Sequence, residues 1–254
     1  MSAIHVRLLE GIQAVGRWLG LKVTRFHPEQ DKWLTQARLL AGCEARVILD
    51  VGANIGQSAQ RYAGMFGEAD VHAFEPFPQS YQALTNMASA QPRIIAHQLA
   101  IADARGQRPL FENPVFHATS SLLPRPSAGQ QYFDPQATLT EGATVRTETL
   151  DDFARDQGIE QIDILKLDIQ GAEALAIKGA QQLLSAQRVG LIQIEVMFVP
   201  HYENGPLFAE IHQLLSAHGY SLFGLYDLEF AAGGQLRFAD AIFVSQRLRA
   251  RQGV

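Results

Sequence analysis

The sequence predicts an α/β fold, in which a doubly wound, mostly parallel sheet of seven strands carries helices on both faces. Three observations predict it. Short apolar runs recur along the chain with helical stretches between them, the pattern of strands buried on both sides. The stretch Ile48-Leu49-Asp50-Val51-Gly52-Ala53-Asn54-Ile55-Gly56-Gln57 reads as a strand, a tight turn and the start of a helix. A second apolar run, Val71 to Phe74, ends in Glu75, 23 residues after Gly52. An acid at that strand end is where one carboxylate can hold both ribose hydroxyls of an adenosine cofactor.

Taken in order, the apolar runs place strands at Val47–Asp50, Val71–Glu75, Arg93–Gln98, Ile162–Asp168 and Val189–Val196. Two more, Tyr220–Tyr226 and Ala239–Val244, flank a turn at Gly233-Gly234 and read as a hairpin, so that one antiparallel edge strand closes the sheet. Apolar spacing predicts helices over Ser58–Met65, Gln79–Ala88, Thr149–Gln157, Ala172–Leu184 and Leu207–Ala217, the last stopped by Gly219. Between about Asp103 and Val145 the pattern breaks into prolines, hydroxyl residues and the aromatics Phe111, Phe116, Tyr132 and Phe133. This stretch is too apolar for a linker. It reads as an insertion, about residues 104–146, of short irregular strands folded over the carboxyl edge of the sheet.

The chain of 254 residues, 47% hydrophobic and 19% charged, has the makings of one soluble α/β domain with a large core. Residues 46–254 form that domain, and residues 1–45 a helical extension. A net charge of −5 argues against nucleic acid as a partner. The single Cys43 excludes an internal disulfide. No apolar run reaches the ~18 residues that span a bilayer. Ile4, Leu8, Ile12, Val15 and Leu19 repeat at helical spacing, without the uninterrupted apolar core of a signal peptide. With so few positive charges, this segment is expected to pack on the domain edge rather than lie on a membrane. The expected location is cytoplasmic, and a homodimer through the extension stays open.

The glycine turn also bears on the ligand. A dinucleotide fingerprint needs G-x-G-x-x-G, whereas the chain reads G-x-N-x-G, with Asn54 between Gly52 and Gly56. Asp50, two residues before the first glycine, is a poor neighbour for a pyrophosphate. It suits a cofactor with a cationic amino-acid end, such as S-adenosylmethionine, better than NAD. Gly52 is read as leaving space for that ligand, so that valine there would block binding in a folded protein. Two further apolar strands end in acids, Asp168 and Glu195, which brings four carboxylates to one rim of the sheet.

The motifs Asp50-Val51-Gly52-Ala53-Asn54-Ile55-Gly56, Ala73-Phe74-Glu75-Pro76, Thr149-Leu150-Asp151-Asp152-Phe153 and Lys166-Leu167-Asp168-Ile169-Gln170-Gly171-Ala172-Glu173 resemble, in that order, the FkbM family of methyltransferases. Lys178-Gly179-Ala180 and Ala239-Asp240-Ala241-Ile242-Phe243-Val244 are similar too, so the resemblance runs from about Val47 to Val244. It implies a Rossmann-like, class I enzyme that uses S-adenosylmethionine to methylate a hydroxyl on a sugar or other natural-product small molecule. The chain departs from the pattern at Gln170, where members frequently carry Glu.

Carried over, Gly52, Ala53, Asn54 and Gly56 line the cofactor turn, Asp50 faces the methionine end, and Glu75 with Pro76 meets the ribose. Asp103 approaches the adenine amino group, or is a solvated turn acid. Ser120 and Ser121 meet substrate or the cofactor carboxylate, or form a polar turn. For Asp168 and Glu195 three readings stand: a general base for the hydroxyl proton, a pair of Mg²⁺ ligands as in catechol O-methyltransferase, or a helix cap with a backbone or Lys166 partner. His201, followed by Tyr202 in a loop after Glu195, is a further proton acceptor, and Glu173 a cap for its own helix. The competing functions are a non-catalytic nucleotide-binding scaffold and an NAD-dependent oxidoreductase.

Overall fold

A computed structural model describes residues 15, 18–19, 27–113, 120–126 and 139–253. The predicted helix over most of residues 1–21, and Phe116, Tyr132 and Phe133 of the insertion, lie outside them. The main sheet has seven strands: β1 (Val47–Val51), β2 (Asp70–Phe74), β3 (Ile94–His97), β7 (Ile162–Leu167), β8 (Val189–Met197), β9 (Tyr220–Phe230) and β10 (Leu236–Ser245). Their spatial order is β3-β2-β1-β7-β8-β10-β9. The first five pair in parallel. The antiparallel pairing expected at the edge is made by β10, which runs between β8 and the outermost strand β9.

Period-two alternation makes two cores from one set of strands. Leu49, Leu165, Ile192 and Phe243 face one cluster. Their neighbours Ile48, Ile164, Leu191 and Ile242 face the other. Helices cover both: α1 (Lys32–Leu39), α2 (Gln57–Met65), α3 (Pro78–Ala88), α4 (Leu150–Asp156), α5 (Glu173–Lys178), α6 (Gln181–Ser185), α7 (Phe208–Ala217) and α8 (Gln246–Gln252). Among the described residues no helix is long and apolar enough to cross a membrane.

Helix α1 ties the extension to the sheet. Asp31 caps it by accepting from the Trp33 and Leu34 amides. Its buried Gln36 donates to Gln193 of β8 at 2.8 Å and accepts from the Tyr62 hydroxyl at 3.1 Å. Lys32 pairs with Asp240 of β10 and with Asp227 at 2.8 Å.

Two elements differ from the sequence reading. The single helix expected over Ala172–Leu184 is two, broken at Gly179, where a Cβ would lie 2.2 Å from the Ala102 carbonyl oxygen. The carboxylate of Asp151 takes the Gln182 and Leu183 amides, both at 2.9 Å, and starts the second helix. The terminal hairpin is also longer than its apolar part. β9 continues to Phe230 and β10 begins at Leu236, because ladder hydrogen bonds do not require apolar side chains.

The insertion adds a three-stranded sheet in the order β4-β6-β5, from β4 (Ala100–Ile101), β5 (Gly106–Glu112) and β6 (Thr140–Glu148). Phe111 and Ser121 form a further antiparallel bridge. Ser121 then donates from Oγ to the Gln170 carbonyl at 2.6 Å, fastening the insertion to the loop after β7.

Candidate active site

The chain order reverses between β1 and β7. From β1 the strands run outward through β2 to β3, and from β7 outward through β8. Loops leaving the carboxyl ends of β1 and β7 therefore diverge, and a crevice opens where they part. A cavity of about 220 Å³ lies there, walled by Val51, Gly52 and Asn54 after β1 and by Glu75, Pro76 and Phe77 after β2. Leu99, Ala100 and Ile101 also line it, with Leu110, Ser120, Ser121 and Leu122 of the insertion, and Asp168, Ile169, Gln170 and Glu195 line its far end, on the β7–β8 side of the sheet order.

Glu75 is buried at the near end. Its Oε2 accepts from the Asn54 amide and its Oε1 from the Phe77 amide, each at 2.9 Å. Asn54 has a φ of 50°, a conformation this residue type tolerates, and it aims the amide inward. One backbone donor on each oxygen fixes the carboxylate and leaves a lone pair per oxygen for a ligand. Burial pushes its pKa up to about 7, against the two amide bonds that lower it.

The far end is a cluster of carboxylates around an amide. Gln170 Nε2 donates to Asp168 Oδ1 at 3.0 Å and to Glu195 Oε2 at 3.1 Å. The Tyr202 hydroxyl donates to Gln170 Oε1 at 2.8 Å. Burial, and then the neighbouring Asp168 and Glu173 charges, raise the Glu195 pKa well above the usual range. Glu173 is buried and, against expectation, does not cap its own helix: its Oε1 accepts from the Ile169 amide at 3.0 Å, in the loop before the helix. Burial raises its pKa to about 7.

Several residues sit elsewhere than the sequence reading placed them. Asp50 is wholly buried and does not line the cavity. Lys166, its register partner on β7, reaches Asp50 Oδ1 at 3.1 Å, and Ser58 donates to Oδ2 at 2.5 Å. Asp50 thus neutralises a buried lysine instead of facing a ligand. Lys166 also lies 3.4 Å from Asp168 Oδ2, linking the buried acid to the cavity. Burial opposes its charge, but the two carboxylates hold its pKa above the ordinary value.

Gly56 packs against α3, where a Cβ would lie 2.1 Å from Met87 Cε, and Ala53 is buried away from the cavity. Asp103 is exposed and ion-paired with Arg108, which matches its turn-acid reading and removes it from the cavity wall. His201 is buried off the cavity. Its Nδ1 donates to the Val199 carbonyl at 3.0 Å, and its Nε2 faces Arg237 Nη2 at 3.3 Å. Burial lowers its pKa, and neither nitrogen is left to take a substrate proton.

Gly52 needs the largest correction. It lines the cavity, yet a Cβ there would lie 1.9 Å from the Asp168 carbonyl oxygen, at a φ of 83°. The glycine lets β1 and the loop after β7 close on each other, so valine would break the fold before it met a ligand.

Sequence reasoning offered Lys166 only as a partner for Glu195, missing its place between Asp50 and Asp168, and it missed Gln170 as the centre of the acid cluster. A lysine inside the apolar run Ile164-Leu165-Lys166-Leu167 was the available signal for the first. Among the described residues no group of three or more His, Cys, Asp or Glu side chains is arranged to hold a metal ion.

Known proteins share this chain's pattern. The methyltransferase sdnD of Sordaria araneosa is 30% identical over 156 residues, 53% of this chain and 60% of that protein. The 2-O-methyltransferase NoeI of Sinorhizobium fredii is 28% identical, covering 56% of this chain and 60% of that one. The 31-O-demethyl-FK506 methyltransferase FkbM of Streptomyces tacrolimicus is 27% identical over 205 residues, 73% of this chain and 76% of its own. The chain thus spans about 60% of the length of the first two relatives. The model of the methyltransferase FkbM domain matches residues 50–222, and the chain belongs to that family.

Proposed function

We propose that this protein transfers a methyl group from S-adenosylmethionine to a hydroxyl oxygen of a sugar or natural-product small molecule. Family membership supports methyl transfer, and two relatives whose names specify O-methylation support oxygen as the acceptor. The observation that carries the reading is the cavity with a fixed, buried Glu75 at one end and the Asp168–Gln170–Glu195 cluster at the other. Residues 46–254 are then the catalytic domain, and residues 1–45 precede it as an extension.

The donor set fits the cofactor. Each Glu75 oxygen can accept one ribose hydroxyl, and Phe77, Leu99 and Ile101 offer an apolar wall to a purine. Asn54 and Gly52 would bound the rest. Bound there, the cofactor supplies an electrophilic methyl group on a sulfonium. The chain's own work is to hold the acceptor hydroxyl in line, exclude water and take one proton. Asp168 and Glu195 are the acids at that end of the cavity. We favour a metal-free pair over one holding Mg²⁺, because Gln170 Nε2 donates into the space between them, where a shared cation would need their lone pairs.

S-adenosylmethionine and adenosylhomocysteine should each raise the melting temperature, with NADH leaving it unchanged. Stabilisation by NADH alone would sink the cofactor assignment. Labelled methyl transfer onto a panel of hydroxylated acceptors tests the reaction itself, and incorporation at nitrogen instead would overturn the O-methyl part.

Glu75→Ala should weaken adenosylhomocysteine binding by roughly 2–3 kcal/mol, the loss of charge-assisted hydrogen bonds. The bond pattern also predicts a pH dependence. The ionised carboxylate accepts from two hydroxyls, whereas the protonated form presents its own donor. With a free-protein pKa of about 7, affinity should rise with pH through that value, by at most ~10-fold per pH unit on its acid side. Calorimetry across pH 5.5–8.5 checks this against Glu75→Gln, which should be flat. The same slope in both proteins would assign it to another group.

A further inference from the structure

We propose that Gln170 is a positioning residue: its side-chain amide, locked in one orientation, donates one N–H to each of Asp168 and Glu195 and keeps both carboxylates ready to accept a proton. The inference rests on the reading above that this pair takes the acceptor's proton.

Its backbone conformation and two hydrogen bonds fix the residue. Its φ of 55° lies in the left-handed region, which is strained for a non-glycine residue and persists only where surroundings impose it. The Ser121 hydroxyl holds its carbonyl at 2.6 Å. Tyr202 holds the side chain at 2.8 Å, and its ring occupies the space over Gly171, where a Cβ would lie 2.5 Å from it. Chemistry sets the direction of the amide. Asp168, ion-paired with Lys166, accepts only N–H on one side, and the Tyr202 hydroxyl donates to the amide oxygen on the other.

The charges around the pair explain why a neutral donor matters here. Asp168 faces Lys166 at 3.4 Å, beyond which stands Asp50. Glu195 faces Asp168 and Glu173, and its register partner on β10 is Asp240. Arg125 stands over the Tyr202 ring at 5.6 Å. Burial and three acids thus push Glu195 toward its protonated form, in which it cannot act as a base. Each N–H of Gln170 stabilises an anion against that pressure.

The test is a ¹³C NMR titration of the Asp168 and Glu195 carboxyls, with Glu195→Gln to assign the signal. It is run on the folded apo protein beside the pH profile of kcat. Gln170→Met keeps the length and loses both donors. It should move the Glu195 midpoint up by about 1–2 pH units, and the acid limb of kcat with it. Gln170→Glu, which adds a charge, should move both further. Tyr202→Phe, which frees the amide to turn, should move them the same way by less. A kcat lowered equally at every pH, with unmoved midpoints, would reduce Gln170 to a structural part and overturn the proposal. Because the titration needs no turnover, it decides the point even if the wild-type protein methylates no hydroxyl. That outcome would count against the functional reading alone. Should Gln170→Glu fail to fold by circular dichroism, the midpoints of the Met and Phe variants decide the question by themselves.

Discussion

Asp168→Asn is expected to lower kcat by on the order of 10²–10⁴ while leaving adenosylhomocysteine affinity nearly unchanged, as the removal of a general base does. The side chain follows β7, two strands along the sheet from the β2 that leads to Glu75, so cofactor binding through the ribose should not sense the change. Asparagine keeps the shape and an acceptor for Gln170 Nε2, but not the charge that faces Lys166. A melting curve must therefore accompany the kinetics, to separate a chemical loss from a destabilised fold. The wild-type rate should be indifferent to EDTA. Loss of activity in EDTA and its return with added divalent ion would instead establish the two carboxylates as Mg²⁺ ligands. Full activity of Asp168→Asn with and without EDTA would leave this acid a structural role.

Gly52→Val should destabilise the protein by about 4 kcal/mol or more, enough to lower the melting temperature by roughly 8–16 °C or to leave little folded chain. The added carbon meets the Asp168 backbone oxygen at 1.9 Å, the Asp168 carbonyl carbon at 2.8 Å and Ile169 Cγ2 at 3.2 Å. Two of these are backbone atoms of the loop after β7, which cannot swing aside as a side chain can. The residue's φ of 83° adds strain for a β-branched replacement. Gly67→Ala is the control, since nothing lies within 4 Å of the new carbon there, and it should change stability little. A folded Gly52→Val variant that melts like the wild type would show that β1 and the loop after β7 can separate. Lost ligand binding in that protein would then restore Gly52 to a purely ligand-facing role.

What the sequence determined by itself is the sheet and the rim. Apolar runs of four to eight residues bury both faces and state their own period, so the seven strands and the helices between them were legible. So was the crevice, because strand direction and the reversal after β3 follow from the order of elements. Glu75, Asp168 and Glu195 could be read as rim acids for the same reason: each follows or ends an apolar run. Tertiary structure alone decided which acids face the cavity and which face each other. Asp50 and Asp168 stand in similar sequence contexts. Yet Lys166 of the adjacent strand and Ser58 of the following helix take up Asp50, while the loop beyond β7 leaves Asp168 on the cavity. Asp103 went to Arg108 and His201 to Val199 and Arg237 by contacts that no local pattern states. Gln170 became the centre of the acid cluster because a left-handed turn, a tyrosine 32 residues downstream and a serine 49 residues upstream converge on it. Strand periodicity is local and written along the chain, whereas the partner of a buried charge is chosen by whatever the fold brings within 3–4 Å.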